Sequence, residues 1–303
     1  MFGWTIDERT SFQLLDIFVA GGFNLIDTGN VYSCWAPGNV GGESETIIGR
    51  WLARRSGARR QILIATKVGA PTPAGGGGLS TKYILSEVEK SLHRLNTEYV
   101  DIYQSHIDDM STPLEETLEA HAKLIRDGKV RSVGASNYSA ARLGVALEVS
   151  ANGRLPRYES LEVRYNLLDR NGYEGDLAAK CQQERVGVLA YFALASGFLT
   201  GKHRSEADFQ RSSRGAFVSQ IVDTTEAFGR RGRRILAALE QVARALDATP
   251  AQLSLAWLLA RGVTAPIASA TTQEQLEQLM KAVNIVLPPE ALTALTDASA
   301  YSH

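Results

Sequence analysis

GGFNLIDTGNVYSCW, residues 21–35, is an apolar run that ends on a charge. The run from Phe23 to Ile26 stops at the carboxylate of Asp27, and the phenol of Tyr32 follows five residues later among small, turn-forming residues. A short apolar run bounded by turn residues is typical of a buried strand. A lone aspartate after such a strand is more often a turn or helix-cap residue than a catalytic one, so the rest of the chain has to decide between these interpretations.

Strand-like runs and amphipathic segments alternate along the whole chain. This order predicts parallel strands joined by helices. An open dinucleotide-binding sheet normally carries a Gly-x-Gly-x-x-Gly loop after its first strand, and that loop is missing here. A closed α/β barrel is therefore the expected fold, with residues 1–303 as one domain. The predicted strands are Phe23–Asp27, Gln61–Thr66, Val100–Gln104, Val130–Ala135, Tyr158–Val163, Val186–Phe192 and Val263–Ile267.

Composition excludes several classes of partner. The chain has 303 residues, with 32 basic and 33 acidic side chains and a net charge of -1, so no overall field favours nucleic acid or an anionic membrane. No apolar stretch is long enough to span a bilayer, and no secretory signal is evident. The two cysteines, Cys34 and Cys181, give neither a disulfide framework nor metal-ligand spacing. We expect a cytoplasmic protein with a small-molecule ligand and no metal.

Polar groups follow four of the predicted strands. Asp27 ends the first, Lys67 follows the second, His106 follows the third, and the pair Ser136 and Asn137 follows the fourth. In an α/β barrel the carboxyl ends of the strands face the active site. These side chains should therefore meet at one rim of the barrel.

The residue types suit proton transfer to an oxygen atom. A tyrosine has an ordinary pKa of about 10, and a neighbouring lysine makes it a better acid by stabilising the phenolate. A carboxylate keeps that lysine charged, and a neutral histidine can orient a carbonyl. The loop from Asp27 to Tyr32 can extend to about 18 Å, so it can bring the phenol back over the barrel mouth. Four complementary groups on different strands favour a functional interpretation over a structural one.

Several segments in chain order resemble motifs of the aldo-keto reductases. They are NLIDTGNVYS, ILIATKVG, YVDIYQSHIDD, GKVRSVGASNY, YNLLDR, AYFALASGFLTGK and PIASATTQEQLE. The resemblance implies an (α/β)8 TIM barrel and hydride transfer between a nicotinamide cofactor and an aldehyde or ketone. It implies that Tyr32 is the general acid or base, that Lys67 and Asp27 tune it, and that His106 orients the carbonyl.

The same resemblance implies a set of cofactor contacts. Tyr191 would stack on the nicotinamide, and Glu162 stands where the family commonly has a glutamine that contacts the carboxamide. Glu162 could favour the oxidised cofactor, or pair with Arg164 or another base. The predicted cofactor-binding residues are Ser136, Asn137, Glu162, Tyr191, Phe192, Leu194, Ser196, Gly197, Lys202, Ser269, Thr271 and Gln275.

The adenosine-phosphate segment departs from the family pattern. Thr271 and Gln275 stand where an arginine or lysine is often found, and these uncharged groups bind a 2'-phosphate less strongly. Lys202 or an arginine of the loop 203–234 could compensate, so NADP(H) is the expected cofactor and NAD(H) the alternative. We interpret the basic run GRRGRR, residues 229–234, as a solvated helix start, with contact to the cofactor phosphates as the second interpretation.

The N-terminus departs from the family pattern as well. Family members begin with a hairpin and a first barrel strand, whereas this chain reaches Trp4 where that strand should already have ended, leaving seven predicted strands. Either the start lies upstream, which we favour, or the barrel closes unusually, and an unpaired edge could then support oligomerisation. Phe2 and Trp4 are expected at the barrel mouth, either as loop packing or as an apolar wall for the substrate, and Trp4 and Trp35 are the predicted substrate contacts.

The favoured function is NAD(P)H-dependent reduction of a small aldehyde or ketone. An alcohol or sugar dehydrogenase working in the oxidative direction is the alternative within the enzymes. A cofactor-sensing binding module like those attached to potassium channels is the alternative from another class, and a truncated chain with impaired activity is a third. Retention of all four catalytic residue types argues against pure sensing.

Overall fold

The computed structural model describes residues 2–211, 215, 218 and 222–301. The strands of this part of the chain form one sheet in chain order, which confirms all seven predicted strands. They are β1 Leu25–Asp27, β2 Leu63–Val68, β3 Val100–Ser105, β4 Val130–Ser136, β5 Tyr158–Arg164, β6 Gly187–Tyr191 and β7 Ala265–Pro266.

Helices alternate with these strands along the chain, as expected for an α/β barrel. In chain order, the helices are α1 Glu8–Ala20, α2 Glu43–Arg54, α3 Thr81–Leu95, α4 Leu114–Arg126, α5 Ala140–Gly153, α6 Asp176–Glu184, α7 Glu206–Gln210, α8 Thr224–Phe228, α9 Arg230–Leu246, α10 Pro250–Ala260, α11 Gln273–Met280 and α12 Pro289–Ala298. No helix among the described residues is both long and apolar enough to cross a membrane.

The described residues divide into two compact units. The first comprises residues 2–162, 176–187 and 271–273, and the second comprises residues 163–175, 188–270 and 274–301. In the first unit, β1 to β5 pair in parallel with their sequence neighbours. The registers place Lys67 beside Gln104 and Ser136 beside Glu162. Several polar residues of adjacent strands therefore lie at the same level of the sheet.

Helix α3 shows how the sequence builds the first unit. Ser80 caps the helix by accepting a hydrogen bond from the backbone of Tyr83, which confirms the predicted start. Ile84, Val88 and Leu95 are fully buried at helical spacing, so one face of the helix is apolar. Strand β2 buries Ile64 equally completely. The end of β2, where Lys67 lies, is thus held in place by a packed core.

His121 of α4 is a buried, neutral histidine of the first unit. It is fully buried, and its Nε2 lies 3.3 Å from the Ser105 hydroxyl, which in turn lies 2.8 Å from the hydroxyl of Tyr158. Burial lowers the pKa of His121 from its ordinary 6.5 to about 4. The unfolded chain therefore binds a proton at this position over a pH range in which the folded chain does not.

This difference predicts an acid-dependent loss of stability. The stabilisation by neutral His121 is present above pH 6.5 and is lost as the pH falls towards about 4. Between pH 7.5 and pH 5 the wild type should lose about 2 kcal/mol more unfolding free energy than His121→Gln. Urea denaturation of both proteins at the two pH values measures this difference. An equal loss in both proteins would contradict the prediction.

The second unit corrects our interpretation of the basic run GRRGRR. Arg230 is exposed, but Arg231 is only 6% exposed. Its guanidinium donates to the carbonyl oxygens of Leu168 and Ser299, both at 2.9 Å, and lies 3.8 Å from the Tyr301 ring centre. The interpretation as a solvated helix start is wrong for Arg231, which satisfies buried carbonyl groups instead.

A second arginine of this unit, Arg170, binds the same C-terminal segment. Its Nη1 donates to the carbonyl oxygen of Thr296 at 2.7 Å and to the Ser299 hydroxyl at 2.9 Å, and its Nη2 pairs with Glu174 at 2.8 Å. These contacts hold the end of α12, a helix that we did not predict from the sequence. The pair of prolines at its start, Pro288 and Pro289, is the signal that could have revealed it.

Candidate active site

Lys67 lies at the centre of a buried polar cluster in the first unit. It is fully buried near the end of β2. Its ammonium nitrogen lies 2.5 Å from Asp27 Oδ1, 2.8 Å from the Tyr32 hydroxyl, 2.9 Å from the Thr28 carbonyl oxygen and 3.1 Å from Glu162 Oε2. The structure therefore brings together Asp27, Tyr32 and Lys67, the three residues predicted to form the proton-transfer group.

The loop after β1 returns Tyr32 to the end of that strand. The Tyr32 backbone donates to the Gly29 carbonyl oxygen at 3.0 Å, which closes a tight turn. A side chain at Gly29 would begin 2.9 Å from the Tyr32 ring, so this ring position requires glycine. The Tyr32 hydroxyl donates to Asp27 Oδ2 at 3.1 Å. The charge at the end of β1 therefore has a structural role, because Asp27 contacts both Lys67 and Tyr32.

The electrostatics of the cluster keep the Tyr32 phenol protonated. Burial raises the pKa of Tyr32 well above 10, Asp27 raises it further, and Lys67 lowers it. Lys67 thus acts in the direction that we expected, but burial and the carboxylate outweigh it. Burial alone lowers the pKa of Lys67, but Asp27, Glu162 and Tyr32 together raise it well above 10.5. At neutral pH the pair is therefore a phenol beside an ammonium ion.

His106 follows β3 beside the phenol. Its ring centre lies 6.0 Å from that of Tyr32, and its backbone donates to the Val68 carbonyl oxygen at 2.8 Å. Burial, and secondarily the charge of Lys67, lowers the pKa of His106 to about 3. The ring is neutral at physiological pH, and its Nδ1 is buried with no hydrogen-bond partner in the described part of the chain. A neutral imidazole of this kind can orient a polar ligand atom.

Glu162 pairs with Lys67 rather than with Arg164, so Lys67 is the other base among the predicted alternatives. Arg164 instead pairs with Asp169 at 3.0 Å. Glu162 Oε2 also accepts a hydrogen bond from Gln104 Nε2 at 2.8 Å. Gln104 is a site residue that we missed. It lies two positions before His106 on the same strand face, and this spacing was the available signal.

Ser136 and Asn137 lie together at the end of β4. Asn137 has a positive φ of 59°, and its backbone donates to the Glu162 carbonyl oxygen at 3.0 Å. Its side-chain amide donates to the Ser136 hydroxyl at 3.0 Å and to the His106 carbonyl oxygen at 3.1 Å. These two predicted cofactor residues are therefore connected to the backbone of His106 and Glu162.

An aromatic cluster adjoins Tyr32. The ring of Trp35 lies 5.8 Å from that of Tyr32 and 5.6 Å from that of Trp4, centre to centre. The N-terminal segment is held by the same loop, because the Ser33 hydroxyl donates to the carbonyl oxygen of Phe2 at 2.7 Å. Trp35 is 38% exposed, so a large apolar surface remains accessible beside the phenol.

The second unit contains a turn that carries several of the predicted cofactor-binding residues. Tyr191 ends β6, and four residues of the turn that follows have positive φ: Phe192, Ala195, Ser196 and Gly197. Leu194 lies within the turn and is half-buried. Successive backbone N–H groups in such conformations form anion-binding concavities in many proteins. In this turn, however, the N–H groups of Ala195 and Gly197 already donate to the carbonyl oxygens of Phe192 and Leu194, at 2.7 and 2.9 Å.

Two side chains in or beside this turn are suited to contact an anionic ligand. The Ser196 hydroxyl is buried without a hydrogen-bond partner among residues 2–211, 215, 218 and 222–301. Lys202 is exposed, and its Cε would lie 3.4 Å from a side chain built at Gly197. The unsatisfied Ser196 hydroxyl is able to donate to a pyrophosphate, and the exposed Lys202 is a separate basic group beside the turn.

The remaining cofactor candidates are surface residues. Ser269 follows β7 and is exposed, Gln275 is exposed on α11, and Thr271 is half-buried. Residues 212–214, 216–217 and 219–221 of the loop 203–234, which is predicted to offer a compensating arginine, lie outside the described residues.

Comparison with known proteins identifies the family. The profile of the Aldo/keto reductase family matches residues 1–300. The chain is 34% identical to "Uncharacterized oxidoreductase YrpG" of Bacillus subtilis strain 168, covering 98% of this chain and 89% of that protein. It is 31% identical to "Protein tas" of Escherichia coli K12, covering 97% and 90%.

A third relative has a more specific name. The chain is 35% identical over 250 residues to "L-glyceraldehyde 3-phosphate reductase" of Escherichia coli K12, covering 80% of this chain and 71% of that protein. The family profile, the similar proteins and the parallel sheet all indicate the same family. The chain therefore belongs to the aldo/keto reductase family, whose members are oxidoreductases built on the TIM-barrel type of α/β fold.

Proposed function

We propose that this protein reduces a small aldehyde or ketone with NADPH. The observation that carries the proposal is the position of the Lys67 ammonium, 2.8 Å from the Tyr32 hydroxyl and 2.5 Å from Asp27. A phenol beside a buried, charge-balanced lysine suits proton donation to an oxygen that is gaining negative charge.

Each residue of the cluster has a separate task in the proposed reaction. Tyr32 donates its proton to the carbonyl oxygen, and Lys67 stabilises the phenolate that results. Asp27 keeps Lys67 charged and accepts the Tyr32 hydrogen bond in the resting state. His106, being neutral, orients the carbonyl oxygen by a hydrogen bond. The nicotinamide, when bound, supplies the hydride for the carbonyl carbon.

The cofactor contacts are part of the same proposal. Tyr191 provides the stacking surface for the nicotinamide, and Lys202 provides a charge for a phosphate. We favour NADPH over NADH because of this lysine, although Thr271 and Gln275 are uncharged. The remaining proposed contacts are Ser136, Asn137, Glu162, Phe192, Leu194, Ser196, Gly197 and Ser269.

The substrate, in this proposal, has an apolar or aromatic part. Trp4 and Trp35 supply a wall beside Tyr32, and aromatic rings prefer edge-to-face or offset contacts with such side chains. We further propose a cytoplasmic protein that functions as one domain and binds neither nucleic acid nor membrane.

Titration with NADPH and with NADH, followed by quenching of tryptophan fluorescence, tests the cofactor assignment. We expect NADPH to bind more tightly, and we expect Lys202→Met to weaken NADPH more than NADH because NADPH carries the additional phosphate. Consumption of NADPH with 4-nitrobenzaldehyde as the probe carbonyl then tests turnover. Binding of neither cofactor, or binding without any turnover, would overturn the proposed function.

A further inference from the structure

We propose that Glu162 is a positioning residue that competes with Tyr32 for the hydrogen bonds of Lys67, so that protonation of Glu162 controls proton donation by Tyr32. The inference rests on the proposed function, because it concerns the same proton transfer. Glu162 acts through Lys67 and need not touch the substrate.

The first argument is a count of hydrogen bonds. Four oxygen atoms lie within 3.1 Å of the Lys67 nitrogen, contributed by Asp27, Thr28, Tyr32 and Glu162. An ammonium group has three hydrogens to donate. Asp27, Thr28 and Tyr32 accept these three hydrogens, and Glu162 is a fourth oxygen that pairs with the same charge at 3.1 Å. A change in the charge of Glu162 therefore alters how Lys67 divides its hydrogen bonds among the other three.

The second argument is that Glu162 is held in this position. Gln104 Nε2 donates to the same carboxylate oxygen at 2.8 Å. Gln104 on β3 reaches Glu162 on β5 past Gly134 of the intervening β4, where a side chain would begin 3.2 Å from Gln104 and 2.4 Å from the Ser160 hydroxyl. Glycine at this position leaves the amide room to reach the carboxylate, so the contact with Lys67 belongs to a built arrangement.

The third argument is electrostatic. The charged groups that face Glu162 are Asp27 from β1 and Lys67 from β2, with the neutral Tyr32 and Gln104 beside them. Burial, and next the charge of Asp27, raises the pKa of Glu162 to about 8, although Lys67 opposes this. Both forms of Glu162 are therefore present near neutral pH.

The two forms affect carbonyl reduction in opposite ways. When Tyr32 donates, its O–H bond breaks, a bond from the proton to the carbonyl oxygen forms, and the phenolate needs the hydrogen bond of Lys67. A protonated Glu162 leaves that hydrogen bond to the phenolate. An ionised Glu162 attracts Lys67 and places a second negative charge near the phenolate, which raises the barrier. Reduction should therefore slow as the pH rises through about 8.

The test is the pH profile of single-turnover reduction of 4-nitrobenzaldehyde by enzyme saturated with NADPH. Single turnover separates the chemical step from product release, which often limits steady-state rates. From pH 7 to pH 9.5 we expect the wild-type rate to fall about tenfold, with a midpoint near 8, and the Glu162→Gln rate to change less than about twofold. Glu159→Gln, which removes an exposed carboxylate from the same strand, should retain the wild-type profile.

An infrared difference spectrum gives a readout that does not depend on turnover. Wild type minus Glu162→Gln should show a protonated carboxyl band at pH 6.5 that is absent at pH 9.5. No such band, or parallel rate profiles in wild type and Glu162→Gln, overturns this inference alone. Absence of turnover in the wild type at every pH overturns the proposed function and this inference with it.

Discussion

Replacing Tyr32 with phenylalanine should lower the rate of carbonyl reduction by a factor of about 10² to 10⁴, the usual contribution of a positioned general acid. The variant keeps the ring, with its contacts to Trp35 and His106, and removes only the hydroxyl that contacts Lys67 and Asp27. Cofactor affinity should remain within about twofold, because the change removes a proton donor for the carbonyl. Single-turnover reduction and a fluorescence titration measure the two quantities.

A matched control shows whether the effect is specific to the Tyr32 hydroxyl or follows from removing any tyrosine hydroxyl. Tyr99 lies between the guanidinium groups of Arg59 and Arg131, at 3.9 and 4.0 Å from its ring centre, in contacts that use the ring. Tyr99→Phe should therefore reduce the probe carbonyl at the wild-type rate. If Tyr32→Phe also retained wild-type turnover, the assignment of Tyr32 as the proton donor would be wrong.

Replacing Lys67 with methionine should both abolish reduction and destabilise the fold. The substitution leaves the carboxylates of Asp27 and Glu162, which are 5% and 2% exposed, without their shared cation. Breaking a buried ion pair by removing one partner typically costs about 3–5 kcal/mol. The loss should be larger at pH 9.5 than at pH 7, because Lys67 lowers the pKa of Glu162 and its removal keeps Glu162 protonated to a higher pH in the folded variant. Urea denaturation at the two pH values measures this.

A double variant shows whether the two effects of Lys67 separate. Lys67→Met combined with Glu162→Gln removes one of the two unpaired carboxylates, so it should recover part of the lost stability. It should not recover reduction, since the phenolate of Tyr32 still lacks its cation. Equal stability of the single and double variants would show that repulsion between the carboxylates does not cause the loss.

The sequence was most informative where one geometric rule applied to several residues. Asp27, Lys67 and His106 each follow or end an apolar run, and parallel strands bring such positions to one end of a sheet. The return of Tyr32 was expected only as sterically feasible, because the turn at Gly29 depends on close contact between the glycine and the ring. Local patterns thus predicted the strands and the members of the cluster.

Side-chain contacts between strands that are distant in sequence could not be predicted from local sequence patterns. Glu162 could have paired with Arg164 on its own strand, but the fold gives it Lys67 of β2 instead. Gln104 was missed because its spacing of two positions from His106 does not show that its amide reaches a carboxylate on β5. Arg231 was misjudged because a run of arginines does not reveal which one faces buried carbonyl groups.

The arginine contacts of the second unit also affect the order in which parts of the structure can form during synthesis of the chain. Arg170 and Arg231 both use acceptors at Ser299, which lie 129 and 68 positions later in the chain. Neither guanidinium can be satisfied until that residue has left the ribosome, and closing such long loops is entropically costly. The Lys67 cluster needs no residue beyond Glu162. The nascent chain thus carries the residues of its proton-transfer cluster long before it can secure its C-terminal helix.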